Sequence, residues 1–115
     1  MNDKKIRRIE EDIKQNVSQI IFRDIKDPRI DMLVSITNVE LSNDKSHAKI
    51  YVSTMDKEKR EQTVEGLNSA KGFIKRELGK ILELRIMPEL TFIADDSIEK
   101  SFELFDKIEK INKED

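Results

Sequence analysis

A row of basic side chains is the most promising chemical feature of this sequence. Between residues 57 and 88, eight Lys and Arg residues accompany five acidic ones. Such a row is suited to phosphate contact, because lysine supplies a mobile charge and arginine a bidentate fork. Alternatively, these residues only form the solvated faces of charge-rich helices. The basic residues in the second half of this tract are Lys71, Lys75, Arg76, Lys80 and Arg85.

Few residues could support catalysis. The single histidine, His47, has no neighbouring groups in the sequence that suggest a metal site or a catalytic triad. Asp95 and Asp96 are the most suggestive carboxylate pair, but adjacent side chains point in different directions, and helix capping accounts for Asp96. The chain has no cysteine and no glycine-rich phosphate loop. We therefore expect no enzyme, metal or cofactor, and keep a hydrolase based on the two aspartates as a third hypothesis.

Size and charge narrow the class of protein. The chain has 115 residues, enough for one domain, and a net charge of −2, which argues against a general polycation. No apolar run approaches the roughly 18 residues of a membrane span, and no signal-peptide core follows Met1. We expect a soluble, cytoplasmic protein. Residues 57–88 carry a net charge of +3 and residues 89–115 one of −5, a separation that suits oriented docking of an anionic partner.

The first half of the chain predicts one helix and a hairpin. Apolar residues from Ile6 to Ile20 recur every three or four positions, as on one face of a helix that ends near residues 24–26, before Pro28. Residues 33–41 and 48–53 resemble strands joined by a turn at residues 42–45. The alternation of apolar residues breaks in the first strand. Cover on both faces of the strand would explain this, but we favour a β-bulge near Thr37 and Asn38.

All three glycines fall in the helical tract predicted for residues 57–84, which Asp56 should cap. We expect a break at Gly72, with glycine allowing a close approach or unusual dihedral angles there. Gly66 and Gly79 would mark tight contacts between helix and sheet.

The end of the chain predicts a strand and a helix. The strand should open at Pro88, and Asp96 with Glu99 resembles a capping box that starts the helix. The tail at residues 112–115 should fray. The apolar stripe of this last helix comprises Ile98, Phe102, Phe105, Ile108 and Ile111.

The predicted order is α-β-β-α-α-β-α, an α+β fold in a single domain of residues 1–115. We expect the third strand to lie beside the first and parallel to it, in a three-stranded mixed sheet. All helices, including the first and the last, would cover one face of this sheet.

Four segments make the chain resemble the ribosome-binding factor A family over essentially its whole length. They are IKDPRI at 25–30, AKIYVS at 48–53, SAKGFIKR at 69–76 and LRIMPELTF at 84–92. The resemblance implies a type II KH fold, in agreement with the predicted element order. It also implies an interhelical Ala-x-Gly kink, here Ala70, Lys71 and Gly72, where other KH domains carry a Gly-x-x-Gly loop.

The resemblance implies a non-catalytic factor for assembly of the small ribosomal subunit. Such a protein binds free 30S subunits, assists late maturation and processing of 16S rRNA near its 5′-terminal helix, and matters for growth in the cold. We expect a monomer with 16S rRNA and the free subunit as partners, and a ribosomal protein or an assembly GTPase as further candidates. The residues expected to contact RNA phosphates are Arg7, Arg8, Arg29, Lys71, Lys75, Arg76, Lys80 and Arg85.

A protein-interaction module is the alternative from another class. The predicted last helix carries Glu99, Glu103, Asp106 and Glu109, which could dock a basic ribosomal protein or a GTPase.

Overall fold

The computed structural model describes residues 3–97 and 99–102. A further helical turn starts at Ser97, where the Ser101 hydroxyl donates to the Ser97 carbonyl at 2.9 Å. The remainder of the predicted last helix and the tail at 112–115 lie outside the described residues. The helices and strands are α1 (Asp3–Asp24), β1 (Ser35–Leu41), β2 (His47–Ser53), a 3-10 turn (Lys57–Lys59), α2 (Arg60–Ser69), α3 (Lys71–Ile81) and β3 (Glu89–Ala94).

The predicted apolar stripe of α1 faces the core. Ile13 and Val17 are fully buried, and Ile20 is nearly so. The helix ends at Asp24, as predicted from the proline that follows. No helix of the described part is both long and apolar enough to cross a membrane.

The hairpin and its bulge are confirmed. β1 and β2 are antiparallel, and the register shifts between Ile36 and Asn38, which leaves Thr37 as the extra residue. Shifting the register brings Ile36 and Val39 onto the same buried face of the sheet. In the connecting turn Lys45 has a φ of 62°, in the left-handed region.

The strand order differs from the prediction in one respect. The order in the sheet is β1-β2-β3, and β3 pairs in parallel with β2, so it does not lie beside β1. The helical crossover of α2 and α3 accounts for this, since a crossover returns the chain parallel to the strand it left, most often as its neighbour. The mixed sheet and the type II KH order are confirmed.

The core lies between the sheet and the helices. α1 packs on β1 and α3, and α2 packs on β3 and β2. Asn68 of α2 also completes the backbone pairing of β3: its amide donates to the Phe92 carbonyl at 3.0 Å and accepts the Phe92 N–H at 2.9 Å. Residues with no exposed surface at the centre include Ile50, Val52, Leu67, Ile74 and Leu78.

Candidate nucleic-acid interface

The junction between α2 and α3 turns at Ala70. Its φ of −96° and ψ of 4° leave the helical region, and its N–H is shared by the Gly66 and Leu67 carbonyls at 3.2 and 3.1 Å. α3 then begins at Lys71 without a side-chain cap. The partial positive charge of its first N–H groups is therefore not balanced by a capping oxygen.

The prediction of a helix break at Gly72 is therefore wrong in position, since the break lies at Ala70. Gly72 has no positive φ, and a Cβ atom added to it would meet nothing within 4 Å. The kink needs neither unusual dihedral angles nor a close approach at this residue, because it is Ala70 whose φ and ψ leave the helical region. What Gly72 contributes is an open, side-chain-free surface next to Lys71.

The contacts expected of the other two glycines are also different. A Cβ on Gly66 would lie 2.8 Å from Cγ1 of Ile30, which belongs to the α1–β1 loop rather than to the sheet. At Gly79 the nearest atom belongs to Met87, at an ordinary 3.6 Å. Gly66 therefore allows the loop that carries Arg29 and Ile30 to dock on α2.

Thr63, on the same face of α2 as Gly66, also holds this loop. It is fully buried, and its hydroxyl donates to the Lys59 carbonyl at 2.8 Å and accepts the Asp31 N–H at 3.1 Å. Asp27 fixes the preceding turn, since its carboxylate accepts the Arg29 N–H at 2.9 Å and the Arg29 guanidinium at 2.7 Å. The hydrogen bond from the Arg29 side chain holds the pKa of Asp27 below its usual value.

The four basic residues of α3 have different surroundings. Lys75 forms an ion pair with Glu89 and lowers the pKa of that carboxyl, while Lys80 pairs with Glu77 at 2.8 Å. Arg76 lies 5.7 Å from the centre of the Phe73 ring, in a cation–π geometry. Within the described residues, Lys71 and Arg76 are the two basic residues of α3 that pair with no carboxylate.

The other candidate residues do not join this row. Arg7 and Arg8 are exposed on α1, and Arg29 lies on the loop that docks on α2. Arg85 follows α3 and lines a cleft together with Lys5 and Lys45, which were not among the residues expected to contact RNA. Nothing in the sequence around Lys45 predicts its left-handed backbone, so its position there could not be found from residue type.

The two aspartates have structural partners. Asp95 accepts the Ser97 N–H at 3.0 Å and the Thr37 hydroxyl, and these hydrogen bonds lower its pKa. Asp96 lies 3.4 Å from the Lys100 ammonium. The side-chain cap expected of Asp96 is thus provided by Asp95, because the bulged Thr37 holds that carboxylate at the start of the turn.

The expected capping box does not form, because Glu99 reaches across to α2. Its carboxylate lies 2.8 Å from Nη2 of Arg60, which also donates to the Thr54 carbonyl at 3.0 Å. Arg60 is 4% exposed, and this ion pair raises its pKa. Asp56 does act as the predicted N-cap, accepting the Glu58 N–H at 3.0 Å.

The surroundings of His47 suggest a structural role. Its Nδ1 lies 2.9 Å from the Ser46 hydroxyl, in the hairpin. Among the described residues no three His, Asp or Glu side chains are grouped as metal ligands would be.

The sequence and the fold of this chain are similar to those of one protein family. The family model of ribosome-binding factor A matches residues 5–108. Ribosome-binding factor A of Finegoldia magna is 45% identical over 99% of this chain and 96% of its own length. The solution structure of a Thermotoga maritima protein superposes with a TM-score of 0.70 at 38% identity, covering 80% of this chain and 88% of that one.

A third comparison shows the fold alone. A Thermus thermophilus ribosome binding factor A, as fitted into a cryo-EM map of a 30S complex, superposes with a TM-score of 0.63 at 24% identity. The match covers 75% of this chain and 90% of that one. On the family model and the 45% identity, the chain belongs to the ribosome-binding factor A family.

Proposed function

We propose that this protein is a non-catalytic assembly factor that binds free 30S subunits and assists late maturation and processing of 16S rRNA near its 5′-terminal helix. Family membership supports binding to the ribosome. The protein would act as a cytoplasmic monomer without metal or cofactor.

The start of α3 is the observation that carries the RNA-binding part of this proposal. Three features meet there: an uncapped helix N-terminus, the exposed Lys71, and Gly72, which offers backbone without a side chain. Helix N-termini and lysines bind phosphate, and a missing Cβ lets a phosphate approach the backbone closely. Arg76 lies on the same face as Gly72, one turn on, and extends the positive surface.

Co-sedimentation with purified ribosomal particles tests the proposal. We expect the protein to pellet with free 30S subunits and not with assembled ribosomes. The double variant Lys71→Gln/Arg76→Gln should bind 30S subunits about tenfold more weakly, since two phosphate contacts are removed. Equal binding of wild type and variant, or equal binding to assembled ribosomes, would contradict the proposal.

The protein-interaction alternative gains no support from the described residues. Glu99, the first acidic residue of the predicted last helix, is already paired with Arg60. Glu103, Asp106 and Glu109 lie outside the described residues. Nuclease treatment of a 30S pull-down separates the two hypotheses, because a complex based on RNA is lost and one based on protein contacts survives.

A further inference from the structure

A cleft of about 450 Å³ lies where the start of α1, the β1–β2 turn and the α3–β3 connection meet. Its buried wall is apolar, whereas its basic residues, Lys5, Lys45 and Arg85, are exposed or half-exposed. Its volume lies within the range of small-ligand sites. The apolar lining residues are Ile9, Leu41, Leu84, Ile86 and Pro88.

The backbone of Lys45 is unfavourable for a lysine. Its φ of 62° belongs to the region that glycine and asparagine tolerate best, yet the turn places lysine there. Backbone strain of this kind concentrates at functional sites. The hairpin would gain stability from glycine at this position, so the lysine side chain points to a role other than folding.

The acidic residues of the cleft do not cancel its positive charge. Asp44 and Glu83 also line it, against three basic residues. The Asp44 carboxylate keeps its charge and is held within the turn, where it accepts the hydroxyls of Ser42 and Ser46, both at 2.7 Å. The three basic and two acidic residues leave the cleft with a net charge of +1. Lys5 belongs to the first turn of α1.

We propose that this cleft binds one unpaired nucleotide of an RNA strand. The base would lie against Leu84 and Ile86, and the flanking phosphates would contact Lys5, Lys45 and Arg85. Ile86 is 69% exposed beside Arg85, so it can cover a base without any rearrangement of the core. The inference rests on the proposed function in taking RNA as the ligand, and it adds a preference for single-stranded over duplex RNA.

Fluorescence anisotropy with a labelled 12-nucleotide single-stranded RNA, and with a duplex of the same length, tests this inference. We expect several-fold tighter binding of the single strand. Ile86→Ser should abolish that preference and leave the salt dependence unchanged, because no charge is lost. Lys5→Gln and Arg85→Gln should each make the negative slope of log K against log salt less steep by about 0.7.

Lys45→Gly tests the inference with a single substitution, because it should change stability and RNA affinity in opposite directions. It should raise the melting temperature while weakening single-strand binding several-fold, because it removes both the backbone strain and the charge. Lys26→Gln is the matched control, since it removes the same charge beyond the opposite end of α1. It should lower the affinity less than any variant of the cleft.

Three results would overturn the inference. One is equal affinity for single-stranded and duplex RNA, and another is cleft variants that bind like Lys26→Gln. The third is tighter binding of a 12-residue polyglutamate than of RNA, which would indicate a protein partner. If these results appear while Lys71→Gln/Arg76→Gln still loses 30S binding, the proposed function stands without the cleft.

Discussion

Gly66 and Gly72 lie six residues apart but serve different purposes. Gly66 is buried against Ile30, with no room for a methyl group, whereas Gly72 faces open space. Because glycine destabilises a helix relative to alanine, its presence there indicates a structural or functional requirement, but the residue type does not say which. The requirement depends on which loop packs against the helix, and this is a tertiary property.

Substitution of each glycine by alanine separates these roles. Gly66→Ala should lower the free energy of unfolding by about 1 kcal/mol, since overpacking against Ile30 outweighs the gain in helix propensity. Gly72→Ala should raise it by up to about 1 kcal/mol, because only the propensity changes. Urea unfolding measures both. A stabilised Gly66→Ala or a destabilised Gly72→Ala would contradict these assignments.

Asp44 makes the stability of the hairpin depend on pH. Hydrogen bonds from the hydroxyls of Ser46 and Ser42 and from the Ser46 N–H lower its pKa from 3.8 to about 2. The ionised form is therefore favoured in the folded state, and its contribution is present above about pH 4 and disappears as the pH falls towards 2.

Asp44→Ala should accordingly unfold at a lower urea concentration than the wild type at pH 7. The difference between the two proteins should shrink between about pH 4 and pH 2. Unfolding curves across this range provide the measurement. A difference that stays constant with pH would contradict the lowered pKa of Asp44.

At the scale of elements, Arg60 joins three parts of the chain. From the start of α2 it binds Thr54, just after β2, and Glu99, which follows β3. Its Nε and Nη1 are buried without a partner among the described residues. Loss of Glu99 would leave this cation buried with a single acceptor.

Glu99→Gln should therefore lower the free energy of unfolding. The loss should be smaller than for a fully buried pair, because the Glu99 side chain keeps 29% of its surface exposed. In the Arg60→Met background the same change should have little effect, since the buried charge is gone. Additive effects in this double-mutant cycle would show that the pair does not couple.

The elements differ in how far the sequence predicts them. The end of α1, the hairpin and the bulge at Thr37 follow from local periodicity and from Pro28, and all are confirmed. The place of β3 beside β2 depends on the path of a helical crossover, and the junction at Ala70 on one residue's dihedral angles. Neither leaves a periodic signal in the sequence.

At the scale of the molecule, the candidate interface was only partly predictable. The basic residues of α3 are evident from their types and spacing, but their ion pairs depend on tertiary structure. Glu89, which pairs with Lys75, lies on β3, 14 residues along the chain. Lys71 and Arg76 are therefore more available for phosphate contact than Lys75 and Lys80, a difference that residue type and spacing do not reveal.

The salt dependence of binding to free 30S subunits tests the central proposal most directly. Two variants lose the same charge from α3: Lys71→Gln/Arg76→Gln removes the residues without carboxylate partners, and Lys75→Gln/Lys80→Gln those with them. The slope of log K against log salt is negative, and each lost phosphate contact makes it less steep by about 0.9. The first variant should therefore reduce the steepness by nearly two, and the second by clearly less. Equal slopes for the wild type and the first variant would contradict the proposal that α3 contacts RNA.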